Sequence, residues 1–292
     1  MSISAYGRVM SKTFFITGVS TGLGRAFAQA ALEAGHTVVG TVRKTADLAP
    51  FEALGANAHG RILDVTDHGA VVDTVAEAEA SIGPIDVLIA NAGYGLEGVF
   101  EETPLAEMRA QFETNVFGAA ATVQAVLPSM RKRRAGHIMA VTSMGGLMTV
   151  PGLSAYCASK YALEGLLESI GKEAAGFGIH VTAIEPGSFR TDWAGRSMVR
   201  TERAIDDYDA VFEPIRRARR NADGNQLGDP AKAAAAVLTV VDAAEPPRHL
   251  LLGSDALRLV RAGRDAVDAD IAAWESLSRS TDFPDGHQIA AS

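Results

Sequence analysis

Tyr156 and Lys160 stand four residues apart in the stretch SAYCASKYALEGLL, residues 154–167. On a helix that spacing puts both side chains on one face. A phenol ordinarily titrates near ~10, too high for easy proton exchange at neutral pH. A neighbouring ammonium stabilises the phenolate and lowers that value. The pair could then give a proton to a carbonyl oxygen, or take one from an alcohol. Chance alone yields Tyr-x-x-x-Lys about one time in ten in such a chain, so its weight depends on what accompanies it.

A glycine turn accompanies it. The β-rich run KTFFIT (12–17) leads into TGVSTGLG (17–24), with Gly18 and Gly22 separated by Val19, Ser20 and Thr21, and Gly22 and Gly24 by Leu23. The stretch follows a strand and opens a helix. That context suits a turn whose backbone approaches a pyrophosphate and whose helix points its positive end at the anion. A plain tight turn is the bland alternative. The second strand, HTVVGTV, ends without the carboxylate that would hold the 2′-hydroxyl of NAD. Arg43 and Lys44 stand there instead, and a guanidinium at that point pairs with a 2′-phosphate. Ser20 could add a hydrogen bond. NADP(H) is therefore favoured, NAD(H) remaining the alternative if Arg43 is only a surface charge.

The elements that must position these residues follow a simple rhythm. Further strands are read at RILDV (61–65), IDVLIA (85–90), GHIMAVTS (136–143), GIHVTAIEP (178–186) and RHLLLG (248–253), with helix-length segments between them. Apolar strands alternating with helices mean an α/β fold: a Rossmann-type doubly wound parallel sheet of about seven strands, helices on both faces. Residues 1–11 read as a flexible arm and 12–292 as one dinucleotide-binding domain. Residues 192–228 break the rhythm as a candidate lid at the carboxyl end of the sheet. Residues 254–292 read as a helical extension with a loose tail.

Composition narrows the classes. The chain has 292 residues, 47% hydrophobic and 21% charged, as an ordinary globular protein does. A net charge of -8 argues against a nucleic-acid partner. No apolar run approaches the ~20 residues that span a bilayer, and the first ten residues lack a signal-peptide core. The only cysteine, Cys157, cannot form an internal disulfide. No membrane partner and a cytoplasmic location are the expectations. The seven histidines show no ligand spacing, so no metal is expected.

TGVSTGLG, the NAG at 91–93, Asn115, Ser143 and Tyr156-x-x-x-Lys160 together resemble the short-chain dehydrogenase/reductase family, over roughly residues 12–253. Its tail and Arg43–Lys44 look similar to the retinol/hydroxysteroid dehydrogenase-like group. The resemblance implies an oxidoreductase passing hydride between a nicotinamide and an alcohol or carbonyl. It implies that Ser143 holds the substrate oxygen, that Lys160 also holds the nicotinamide ribose, and that Asn115 kinks its helix and holds a water relaying protons to Lys160. It places Asp64 and Val65 at the adenine, Asn91, Ala92 and Gly93 along the adenosine, and Pro186, Gly187 and Thr191 around the nicotinamide. A homodimer or homotetramer is common in such proteins.

Two rivals share the residues in part. A redox-silent nucleotide sensor would be favoured by loss of Tyr156 or Lys160, and both are present. A sugar-nucleotide epimerase would carry another glycine spacing and a larger C-terminal domain. Trp193, Met198, Tyr208, Val211 and Phe212 of the lid, with Leu147, Met148 and Tyr94, suggest an apolar alcohol, ketone or aldehyde. Cys157 is read as a small buried residue pointing away from Tyr156. RKRR (131–134) is read as a dipole-matched helix end, and RRARR (216–220) as a surface helix face.

Overall fold

Phe14 and Phe15 point to opposite faces of a strand, and both are fully buried, so the sheet they belong to is covered on both sides. The computed structural model describes residues 11–193, 195, 197–283 and 286. The arm expected at 1–11 lies outside these residues except for Ser11. In chain order the elements are β1 (Thr13–Ile16), α1 (Gly22–Glu33), β2 (Thr37–Val42), α2 (Leu48–Glu52), β3 (Ala58–Ile62), α3 (His68–Ser81), β4 (Val87–Ala90), β5 (Gly95–Glu97), α4 (Leu105–Phe112), α5 (Ala119–Arg133), β6 (Gly136–Val141), α6 (Ser154–Ala174), β7 (Ile179–Pro186), β8 (Met198–Arg200), α7 (Asp209–Asn221), α8 (Pro230–Val241), β9 (His249–Leu252) and α9 (Ser254–Arg279).

Seven strands form one parallel sheet in the order β3-β2-β1-β4-β6-β7-β9. The order reverses between β1 and β4, which opens a crevice outside their carboxyl ends. On one face Phe15, Val39, Leu88 and Ile138 pack under α3, α5 and α6. On the other, Phe14, Val38, Ile89 and Met139 pack under α1 and α8. The fold is the doubly wound Rossmann type that the sequence pattern implies.

Two strand readings need correction. β3 spans 58–62, not 61–65, and it pairs in register from Val38↔Ala58 to Val42↔Ile62. It is an edge strand that alternates burial, so a search for a continuous apolar run lands too late. The short strands β5 and β8 pair with each other outside the main sheet and carry no sequence signal of strand length. That pair anchors the segment read as a lid: β8 docks on β5 and α7 follows. The extension after Gly253 begins as one long helix, α9.

Candidate active site

The glycine turn is built by backbone conformations that side chains resist. Gly18 and Gly22 have φ of +73° and +63°. Gly24 opens α1 but does not face the crevice. A Cβ there would lie 2.4 Å from both Asn91 Nδ2 and the Gly18 carbonyl oxygen, so its small size lets the turn lie against β4. Asn91 fastens the two, its amide donating to the carbonyls of Thr17 (2.9 Å) and Gly18 (3.0 Å).

A cleft of about 1280 Å³ runs along the carboxyl ends of the strands. It exceeds the ~300–1,000 Å³ of ordinary small-molecule sites. Gly18, Ser20, Thr21, Gly22 and Leu23 wall one end with Arg43, Asp64 and Val65. Asn91, Ala92 and Gly93 line the middle. Ser143, Tyr156, Lys160, Pro186, Gly187 and Thr191 line the far part. Arg43 is exposed at the mouth and forms no ion pair with a described residue. Asp64 accepts from the Thr66 amide (3.0 Å) and hydroxyl (2.8 Å). Those bonds, and then Arg43, hold its carboxyl below the ordinary value against the opposing effect of burial. Asp67 caps α3, its side chain accepting from the Ala70 amide.

Tyr156 is buried between Trp193, whose ring centroid lies 5.1 Å away, and Lys160, whose Nζ lies 5.7 Å from the phenol centroid. Lys160 Nζ donates to the Val141 carbonyl oxygen at 2.9 Å. Burial lowers this lysine to about 8, with Glu164 opposing. The expected lowering of the Tyr156 pKa is not seen. Burial pushes the phenol up, outweighing Ser143, which pulls it down. Ser143, just beyond β6, accepts from the Gly145 amide at 3.0 Å.

Asn115 lies outside the cleft lining, in a π-helical turn, Glu113–Gly118, between α4 and α5. The kink expected at this residue is that turn. Its Oδ1 accepts from the Tyr94 amide (3.0 Å), and its Nδ2 donates to the Tyr94 carbonyl (3.0 Å) and Ser159 Oγ (3.2 Å). Both amide hydrogens are thus engaged with protein atoms, and the side chain acts as a brace between α6 and the segment after β4.

The apolar end of the cleft is only partly as expected. Tyr94, Met148 and Trp193 line it, joined by Val150, Leu153 and Ile215. Met198 packs beneath Tyr156. Leu147 and Phe212 are off the lining, Phe212 being buried against Gly152. Tyr208 donates to Glu101 Oε2 at 2.6 Å and Val211 is exposed, because α7 turns its other face inward. Cys157 also lines the cleft, contrary to expectation, alongside Leu153, Tyr156 and Lys160. Its burial raises the thiol.

Arg216 and Arg219 are not a plain surface face. With Arg200 they converge on Glu97, which is 1% exposed: Arg219 Nη1 pairs with its Oε2, while Arg200 Nε and Arg216 Nε lie 3.2 and 3.7 Å from its Oε1. Arg133, in the other basic run, donates to the Ile85 carbonyl at 2.6 Å and to Ser129 Oγ. Two further groups were unannounced by any motif. Asp255, at the start of α9, accepts from the Ser188 amide at 2.8 Å and holds the Pro186–Gly187 segment in place. Glu164 and Glu185, both buried, meet beside His249, whose Nδ1 is 2.6 Å from Glu185 Oε1 and 3.6 Å from Glu164 Oε2.

A parallel sheet with a glycine-lined crevice at its switch point, and a buried tyrosine–lysine pair facing it, defines a dinucleotide-dependent oxidoreductase. The chain belongs to the short-chain dehydrogenase family, whose model matches residues 12–201. It is 38% identical over 275 residues to oxidoreductase BOA17 of Botryotinia fuckeliana, covering 92% of this chain and 98% of that one. It is 34% identical to retinol dehydrogenase 8 of Bos taurus, covering 81% and 80%. A short-chain dehydrogenase/reductase from Burkholderia phymatum, solved with NAD, superposes with a TM-score of 0.79 at 26% identity, covering 89% of this chain and 95% of that one. The protein is thus an NAD(P)-binding oxidoreductase. No helix among the described residues is long and apolar enough to cross a membrane.

Proposed function

We propose that this protein transfers hydride between NADP(H) and an apolar secondary alcohol/ketone or aldehyde. The observation that carries the reading is one continuous cleft with Arg43 at one end and Ser143, Tyr156 and Lys160 at the other. The residues fit a dinucleotide. Gly18 and Gly22 leave a side-chain-free cradle beneath the start of α1, and Arg43 with Lys44 offers cationic donors where a 2′-phosphate would lie. Pro186, Gly187 and Thr191 would flank the nicotinamide, and Asp64 and Val65 the adenine.

When bound, the cofactor supplies or accepts the hydride. Tyr156 gives a proton to the substrate oxygen in reduction or removes one in oxidation. Ser143 donates a hydrogen bond to that oxygen, where negative charge develops. Lys160, which burial lowers to about 8, offers donors to the ribose and stands 5.7 Å from the phenol ring, where its charged form would stabilise a phenolate. Trp193, Met148, Val150 and Leu153 exclude water and select an apolar body. The relative named a retinol dehydrogenase supports an extended apolar alcohol.

The test is a paired fluorescence titration with NADPH and NADH, followed by a screen of ketones, aldehydes and polyols. Tighter NADPH binding and turnover of apolar carbonyls support the reading. Equal affinity for both cofactors moves it to NAD(P) without preference. Faster turnover of short polar polyols removes the apolar substrate. Cofactor binding without turnover of any of these favours a redox-silent sensor.

A further inference from the structure

Glu185 of β7 and His249 of β9 share one face of the sheet, since His249 pairs in register with Ala183 and residues two apart point the same way. α6 packs on that face through Leu163 and Leu167 and brings Glu164 beside them. One carboxylate oxygen of each acid and one imidazole nitrogen lie within 4.8 Å of one another. None of the three residues lines the cofactor cleft. Glu164 and His249 line instead a separate cavity of about 10 Å³, room for one small ion or water.

The two acids lack what buried carboxylates need. They are 6% and 0% exposed, yet Glu164 Oε1 and Oε2 and Glu185 Oε2 accept no hydrogen bond. Buried polar atoms are rarely left bare. The Thr142 hydroxyl lies close enough to act on Glu164, but its hydrogen goes to the Ile184 carbonyl at 3.0 Å. Lys160 Nζ donates to Val141. Arg264 acts on Glu185 and Arg248 stands on the cavity wall, but among the described residues only His249 forms an ion pair with either acid. One shared proton would serve two of the three bare oxygens. A cation can take both oxygens of one acid, one of the other and the imidazole nitrogen. In the metal-free chain burial holds the two carboxyls toward their neutral forms, and a cation replaces those protons with the missing counter-charge.

We propose that Glu164, Glu185 and His249 bind a divalent cation of the zinc type, which ties α6 to β7 and β9. Zinc takes mixed nitrogen and oxygen donors at ~2.0–2.2 Å in a tetrahedral array, whereas magnesium and calcium call for more oxygens. The His249 side chain is 44% exposed, which opens the fourth position to water. Histidine spacing could not announce the site, because one histidine takes part and 64 residues separate it from Glu185. The proposal does not depend on the substrate or cofactor assigned above.

Isothermal titration calorimetry of zinc chloride into the chelator-stripped full chain tests it. About one ion per chain is expected to bind, with micromolar or tighter affinity. Glu164→Gln, Glu185→Gln and His249→Gln should each weaken binding at least tenfold, with far-ultraviolet circular dichroism unchanged. His68→Gln, at an exposed position of α3, should bind as the wild type does. Zinc should also raise the thermal unfolding midpoint by on the order of a few degrees in the wild type and leave His249→Gln unmoved. His249 is half exposed, so this variant keeps the test open if a buried substitution fails to fold. Wild-type binding weaker than millimolar overturns the proposal and leaves the carboxyls to their protons. Affinity unchanged in His249→Gln and in either glutamine variant of the acids would place the zinc elsewhere and equally overturn it. Tighter binding of magnesium than of zinc would overturn the choice of ion.

Discussion

Lys160 places its ammonium 5.7 Å from the centroid of the Tyr156 ring while donating to the Val141 carbonyl oxygen at 2.9 Å. Both side chains are buried, and burial raises the phenol as it lowers the lysine. Each is therefore held toward its neutral form. Tyr156→Phe removes the transferable proton and leaves the ring packed on Trp193. Its kcat should fall by about 10²–10⁴, with NADPH affinity nearly unchanged. Lys160→Met should lower kcat and weaken NADPH binding as well. Stopped-flow turnover with parallel cofactor titration separates the two, and substantial turnover by Tyr156→Phe would remove this residue from the chemistry.

Arg43 stands at the cofactor end of the cleft with no ion-pair partner among the described residues. A charge-assisted contact to a phosphate contributes about 1.5–3 kcal/mol. Arg43→Ala should therefore weaken NADPH binding by about 10–100-fold and leave NADH within about twofold. Equal losses for both cofactors would make Arg43 a general electrostatic aid instead of a 2′-phosphate contact.

What could be read beforehand divides by sequence separation. The glycine turn, the strand rhythm and the Tyr156–Lys160 pair are local patterns, each set by a few neighbouring residues. The ion cluster at Glu97 joins positions 122 apart, Arg219 to Glu97, and no spacing rule announces it. Arg216 and Arg219 looked like solvated charges because their partner is a lone buried glutamate on a three-residue strand. Asp255 and the Glu164–Glu185 pair escaped for the same reason. Their roles exist only once β7, β9, α6 and α9 are side by side. Cys157 and Val211 failed differently: helix spacing gives relative faces, not which face looks into the cleft.

Glu97 is the hub that fastens α7 over the cleft. Removing it leaves Arg200, Arg216 and Arg219 close together with their shared counter-charge gone, a loss of about 3 kcal/mol or more for a buried pair. Glu97→Ala should raise amide hydrogen exchange across 198–221 at least tenfold while β1, β4 and β6 keep their protection. Exchange in α7 that matches the wild type would show that apolar packing through Phe212, not the ion cluster, holds this segment.

Glu164 and Glu185 make folding depend on pH in an uncommon direction. Burial lifts them to about 7 and about 8, from an ordinary 4.5. Glu185 further discourages ionisation of Glu164, while Thr142, His249 and Lys160 partly offset the rise at Glu164, and Glu164 and Arg264 partly offset it at Glu185. Between pH 5 and 8 the folded chain holds protons that the unfolded chain has released. The stability these groups contribute is therefore full below about pH 4.5 and is lost progressively as pH rises to about 8. Glu185→Gln keeps an oxygen for His249 Nδ1 and cannot ionise. Urea unfolding should find it close to the wild type at pH 5 and more stable by about 1–2 kcal/mol at pH 8.5. A wild type that gains stability across this interval, or a variant that tracks it at both pH values, would mean that the two carboxyls ionise freely and that His249 and the nearby cations outweigh burial.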